Sequence, residues 1–265
     1  MNRIDVSILV FGALAGLGSL AAARRWPGGI WLHRLRERVA PYLRCYVRRS
    51  PATFAYAGIL VITTWVVAGV GPRISFALLR SQSTNLANLR THPLNVIFRS
   101  MFWSGSTAVL PVIALLAAVL APAEVWLGTA RLILVFLAGH VGATLATAVA
   151  LDHGYFTSAG DKGIDRTIDV GVSYGTFCVA AVLAHRLPRR WRIPFAAALL
   201  LVFGLLVFVF GKTFTDFGHF VSVLIGFSIY PLVRGASVDE RARIPLYRPW
   251  RVGGIARSTR PAPES

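Results

Sequence analysis

The sequence predicts an all-α protein that crosses a membrane several times, and three observations predict it. Of the 265 residues, 55% are apolar, with a mean hydropathy of +0.61. The apolar residues gather into long uncharged runs rather than alternating or 3.6-residue patterns, and each run has the length of a membrane helix. The formal net charge of +17 comes almost wholly from arginines placed between the runs. That is the signature of membrane orientation, not of nucleic-acid binding, which would need a folded soluble module.

Seven runs follow one another, at 6–23, 53–72, 104–123, 132–151, 168–185, 193–211 and 217–233. Each holds about 17–20 residues, close to the roughly 20 that cross a hydrocarbon core of about 30 Å. The first offers small residues, Ala21 to Ala23, where a signal peptide would be cut. Its n-region is only weakly basic and the arginines cluster after the run, so it reads as a retained helix with its N-terminus outside. Residues 1–52 are then an N-terminal transmembrane helix with a basic connector, 53–234 a six-helix membrane domain, and 235–265 a basic, disordered cytoplasmic tail.

The basic segments orient the spans. Residues 24–49 carry Arg24, Arg25, Arg34, Arg36, Arg38, Arg44, Arg48 and Arg49; the hairpin 186–192 carries Arg186, Arg189, Arg190 and Arg192; the tail after Tyr230 carries seven more arginines. All three face the cytoplasm of a plasma membrane under the positive-inside rule, which leaves the connectors 73–103, 152–167 and 212–216 outside. Arg73, Arg80, Arg90 and Arg99 run against that count, but a long connector tolerates charge better than a short one. The segment 30–50 mixes aromatics with arginines and is expected at the cytoplasmic interface, attracting anionic lipid at about 1 kcal/mol per basic residue.

Two polar residues stand inside apolar runs at matching depth. Ser173 lies in Asp169-Val-Gly-Val-Ser-Tyr-Gly175, about 9 Å below the outer end of its span at 1.5 Å per residue. His219 lies in Asp216-Phe-Gly-His-Phe-Val-Ser-Val-Leu-Ile-Gly226, a span that also runs inward. Such groups are costly in a bilayer and by default suggest function. A serine and a histidine at one depth are the minimum for nucleophilic catalysis. His219, Ser222 and Gly226 share one helix face, and Gly171 and Gly175 form a small-xxx-small pair, so both helices are built for close packing. Ser173 points about 200° away from Gly171, so its helix is expected to be contacted on more than one face.

These residues resemble the rhomboid intramembrane serine proteases, whose Gly-x-Ser and His-x-x-Gly-x-x-x-Gly motifs sit on the fourth and sixth core helices. The chain offers Gly171-Val-Ser173 and His219-Phe-Val-Ser222-Val-Leu-Ile-Gly226, separated by an arginine hairpin and one span. The resemblance covers residues 53–233 and is to the divergent rhomboid-like membrane proteins of bacteria. It implies a six-helix core plus one extra N-terminal helix, with Ser173 as nucleophile and His219 as general base. It implies transmembrane protein substrates, or clients if the fold binds and escorts without cutting. Tyr174 replaces the glycine or alanine that usually follows the serine. The first outer connector lacks the family's ungapped pattern of histidines and asparagine, with Val96, Met101 and Gly105 at those positions. Oxyanion donors would have to come from His92, Asn95 or Ser100.

Other features are set aside on physical grounds. Gly171 to Gly175 also spells the nucleophile elbow of α/β-hydrolases, but that motif needs a strand before it. The acidic and basic loop residues Asp152, His153, Asp161, Lys162, Asp165, Arg166 and Asp169 are irregularly spaced and read as ion pairs or caps, with Asp169 favouring a helix dipole. His140 reads as a hydrogen-bonding helix contact. Cys45 and Cys178 form neither a disulfide framework nor a zinc spacing, and no cofactor or metal is implied. A transporter would show discontinuous helices and inverted symmetry, and neither is visible. Phe76, Phe98, Phe102 and Trp103 place the connector 73–103 partly in the interface, where it would shape substrate entry.

Overall fold

The computed structural model describes residues 14, 16–18, 27–104, 109–155, 168–210 and 213–233. Most of the run 6–23, most of the charged loop 156–167 and the tail from 234 lie outside the described residues. Among those described there is no strand, and the elements are α1 (Pro27–Arg49), α2 (Pro51–Gly69), α3 (Pro72–Ser81), α4 (Leu86–Thr91), α5 (Pro93–Ser100), α6 (Val109–Leu127), α7 (Thr129–Asp152), α8 (Ser173–Ala184), α9 (Arg189–Leu205) and α10 (Phe214–Val233). A π-helical turn, Leu206–Phe210, extends α9.

Proline sets several of the starts. Pro51, Pro72 and Pro93 stand in the first turns of α2, α3 and α5, where a missing N–H costs nothing and the fixed φ suits the helix. Glycine sets one of the sharpest turns: α6 and α7 are joined through Gly128 alone, at φ 80°, a conformation L side chains rarely adopt. Five helices, α2, α6, α7, α9 with its π turn, and α10, are long and apolar enough to cross a membrane. With the shorter apolar α8 they make up a six-helix core, and the chain is a multi-pass, all-α membrane protein.

At the centre stands α8, where nine of the twelve residues are buried. It packs chiefly against α7 and α10, which also pack on each other. Absent side chains permit the approach. A Cβ on Gly226 of α10 would overlap the Cys178 carbonyl oxygen and come within 2.7 Å of Ala181 Cβ, and one on Gly139 of α7 would overlap Cys178. Close backbone contact of this kind holds membrane helices together, because lipid is as apolar as their side chains. On the same side of α8, one turn before Cys178, Gly175 accepts the Phe136 ring of α7, 2.5 Å from where a Cβ would stand. The serine helix is contacted by α6, α7 and α10, but Gly171 lies before its start, so the small-xxx-small pair expected of Gly171 and Gly175 is not formed on it.

The run 168–185 becomes helical only at Ser173. Residues 168–170 have no regular secondary structure, and Gly171 turns the chain at φ 140°. The backbone of this stretch is tied outward instead of along a helix. Thr84 N–H donates to Asp169 O (2.9 Å) and Gly171 N–H donates to Ser100 O (3.1 Å), while Asp169 N–H donates to Ser83 Oγ (2.7 Å). Ser173 is therefore the first residue of α8, not one six residues inside it. The connector reaches into the bundle too: Tyr56 Oη donates to Met101 O (2.6 Å) and Thr63 Oγ1 to Phe102 O (2.8 Å).

Candidate active site

His219 is placed by the way α10 begins. Thr213 and Asp216 form a reciprocal cap: Thr213 Oγ1 donates to Asp216 Oδ2 (2.6 Å) and Asp216 N–H donates to Thr213 Oγ1 (3.1 Å). A capping pair at this spacing fixes the first turn, and His219 follows three residues later, on the side facing α8. Its ring stands among Phe177 (centroids 5.1 Å, 83°), Tyr174 (5.3 Å, 74°) and Phe203 (5.5 Å, 51°). Its Nε2 is buried and has no hydrogen-bond partner among the described residues.

Ser173 is half-buried at the start of α8. Phe177 stands one helical turn further on the same face, so the serine lies above the ring that packs against His219. No hydrogen bond joins Ser173 to His219 among the described residues, and the Ser173 hydroxyl is engaged by no other group there. The two are brought to one end of paired helices, with Tyr174 and Phe177 as the side chains of α8 in ring contact with the histidine.

The oxyanion candidates differ from one another. His92 and Asn95 are exposed at the joint of α4 and α5. Ser100 is fully buried and its hydroxyl is taken: Oγ donates to Ile97 O (3.1 Å) and lies 3.2 Å from His140 Nε2. His140 Nε2 is also 3.0 Å from Ile97 O. A carbonyl only accepts, so Nε2 carries the proton, and His140 makes the interhelix contact expected of it. Of the packing residues, Ser222 is fully buried and donates to its own helix at His219 O (2.7 Å).

Sequence reasoning missed the polar cluster beside the histidine. Asp169 is expected to favour a helix dipole, yet it stands four residues before α8 and faces side chains. Its carboxylate accepts from Tyr174 Oη (3.2 and 3.3 Å) and Thr84 Oγ1 (3.0 Å). The available signal was a carboxylate at the edge of an apolar run with a tyrosine five residues on. Among the described residues no group of three or more His, Cys, Asp or Glu side chains could hold a metal ion.

The profile of a family described as rhomboid-like protein matches residues 45–239, well over half of the chain. The chain belongs to the rhomboid-like protein family. No curated relative and no solved structure matches it. The rhomboid-like match spans α2 to α10 entire, so it takes in both the helix that begins at Ser173 and the one that carries His219.

Proposed function

We propose that this rhomboid-like protein is an intramembrane serine protease acting on transmembrane protein substrates through Ser173 and His219. The observation that carries the reading is a pair of unspent groups at one end of α8 and α10. The Ser173 hydroxyl and His219 Nε2 each lack a partner among the described residues. By contrast Ser222, Thr176 and Ser100 all spend their hydroxyls on backbone carbonyls. Buried polar groups are normally paired, so an unpaired ring nitrogen asks for a role. Catalytic hydrogen bonds in a ligand-free site are often long and tighten only with substrate.

In this reading Ser173 Oγ attacks the scissile carbonyl while His219 Nε2 takes its proton. His219 then protonates the leaving amine, and water resolves the acyl-enzyme by the reverse path. The Ser173 backbone N–H, unspent at the helix start, would supply one oxyanion contact.

One observation favours a second reading, a pseudoprotease that binds or escorts membrane proteins. Of the three side chains that could complete an oxyanion site, His92 and Asn95 face outward and the Ser100 hydroxyl is spent. Loss of one oxyanion donor costs about 10²–10³ in rate. Fluorophosphonate labelling of the purified protein separates the two. Labelling of wild type that disappears in Ser173→Ala and His219→Ala is the expected result; no labelling of well-folded wild type makes the binding role the account that stands.

The same reading sets the protein in the plasma membrane with its N-terminus outside and C-terminus cytoplasmic, and assigns the basic α1 to anionic lipid. Exposure of Trp31, Leu43 and Val47 along α1, interleaved with arginines, supports that assignment.

A further inference from the structure

We propose that Tyr174 is a positioning residue for His219, locked by the buried carboxylate of Asp169, and that the two stand in for the third member a serine–histidine pair lacks. The proposal rests on the catalytic reading of Ser173 and His219.

Three observations converge on Tyr174. Its ring meets the His219 ring at 5.3 Å and 74°. Its hydroxyl donates to both carboxylate oxygens of Asp169, at 3.2 and 3.3 Å. Its ring also lies flat in a notch on α10: a Cβ on Gly218 would stand 2.5 Å from Tyr174 Oη and Cε1. Asp169 is itself held at three points, by Thr84 Oγ1 on the carboxylate (3.0 Å), by Ser83 Oγ on the N–H (2.7 Å) and by Thr84 N–H on the carbonyl (2.9 Å).

The phenol is thus fixed at its tip and along one face. Of the three rings around His219, it alone has a hydrogen bond to hold it, since Phe177 and Phe203 have no polar atom to tether. A general base must keep its ring within a few tenths of an ångström of the productive pose. In triads a carboxylate does this by bonding the imidazole itself. Here the carboxylate acts one side chain away, through packing. Among the described residues only the Thr84 and Tyr174 hydroxyls solvate the Asp169 carboxylate, and keeping a carboxylate in such a place is costly unless every bond is made. The bulk of Tyr174, which looks like a departure from Gly-x-Ser-Gly, becomes the part that carries the function.

The test uses the full chain in detergent with two readouts: the rate of Ser173 modification by a fluorophosphonate, and the ring nitrogen NMR signals of His219, assigned by their loss in His219→Gln. Tyr174→Phe keeps the ring and drops the tether. Asp169→Asn weakens the other end of it. Both are expected to broaden or shift the His219 signals and slow labelling about tenfold in protein still folded at the assay temperature, with some fall in Tm from the lost bond, and Tyr174→Gly to slow it about a hundredfold. Tyr174→Gly labelling as fast as wild type, or faster, would mean the ring is an obstruction and would overturn the proposal. Unchanged His219 signals in Tyr174→Phe would overturn it too. If wild type is not labelled at all, the catalytic reading fails and the NMR arm alone decides the positioning role. Should Asp169→Asn not fold, Tyr174→Phe, which fills the same space, decides.

Discussion

Glu124 is the buried side chain whose removal has the clearest cost. Its carboxylate, 2% exposed, accepts from Ala52 N–H (3.0 Å), Thr53 N–H (2.8 Å), Thr53 Oγ1 (2.7 Å) and Thr129 Oγ1 (2.8 Å). A carboxylate from α6 therefore caps the N-terminus of α2, where free N–H groups and the helix dipole favour negative charge. Glu124→Ala strands these donors and is expected to destabilise by about 2–4 kcal/mol, while Glu124→Gln, which keeps an acceptor, costs about half as much. Thermal unfolding in detergent measures both. Neither this cap nor the Asp169 clamp was legible in the sequence. Each joins residues far apart in the chain, Glu124 to Thr53 across 71 positions and Asp169 to Thr84 across 85. Local spacing carries no record of such pairs. Ser173 and His219 stood out because a polar side chain within an apolar run contrasts with its own neighbours.

At the scale of elements, the packing of α8 against α10 turns on Gly226, and Gly58 of α2 supplies the contrast, with nothing within 4 Å of its added Cβ. Gly226→Ala is expected to push the two helices apart at the Cys178 carbonyl and cost about 1–3 kcal/mol. Gly58→Ala is expected to be neutral or to stabilise by up to about 1 kcal/mol. Equal effects in the unfolding assay would remove the close-approach account. The membrane runs from residue 53 on were legible to within about five residues, because bilayer thickness fixes length, whereas the helices at 27–49 and within 72–100 lay in segments read as connectors. The run 53–72 stops as a helix at Gly69 because Pro72 opens the next one. The start of α8 was not legible. Apolar Val170 and Val172 read as span, and their departure from the helix depends on Gly171 and on hydrogen bonds to Ser83, Thr84 and Ser100, all on a distant connector.

The whole molecule was the most legible level as to class, all-α and multi-pass, since apolar runs need no knowledge of contacts. Its orientation can be tested with the cysteines already present. Cys45 is exposed on α1 and Cys178 is buried. An impermeant maleimide is expected to modify Cys45 only after the cell membrane is opened, and to modify Asn95→Cys on intact cells; the reverse pattern would invert the topology. The Arg90–Asp152 ion pair joins α4 to the end of α7 with both side chains more than half exposed. Arg90→Ala is expected to cost no more than about 1 kcal/mol, less at high salt.

The brevity of the central helix has a consequence for reagents and substrates alike. Twelve residues rise about 18 Å, some 12 Å short of a hydrocarbon core of about 30 Å. The shortfall is made up by protein backbone, which lipid could not tolerate but a ring of surrounding helices can. Above α8 that backbone is bonded to the connector, at Ser83, Thr84 and Ser100. On the catalytic reading, a reagent or substrate would meet that backbone, and the connector that holds it, beside Ser173.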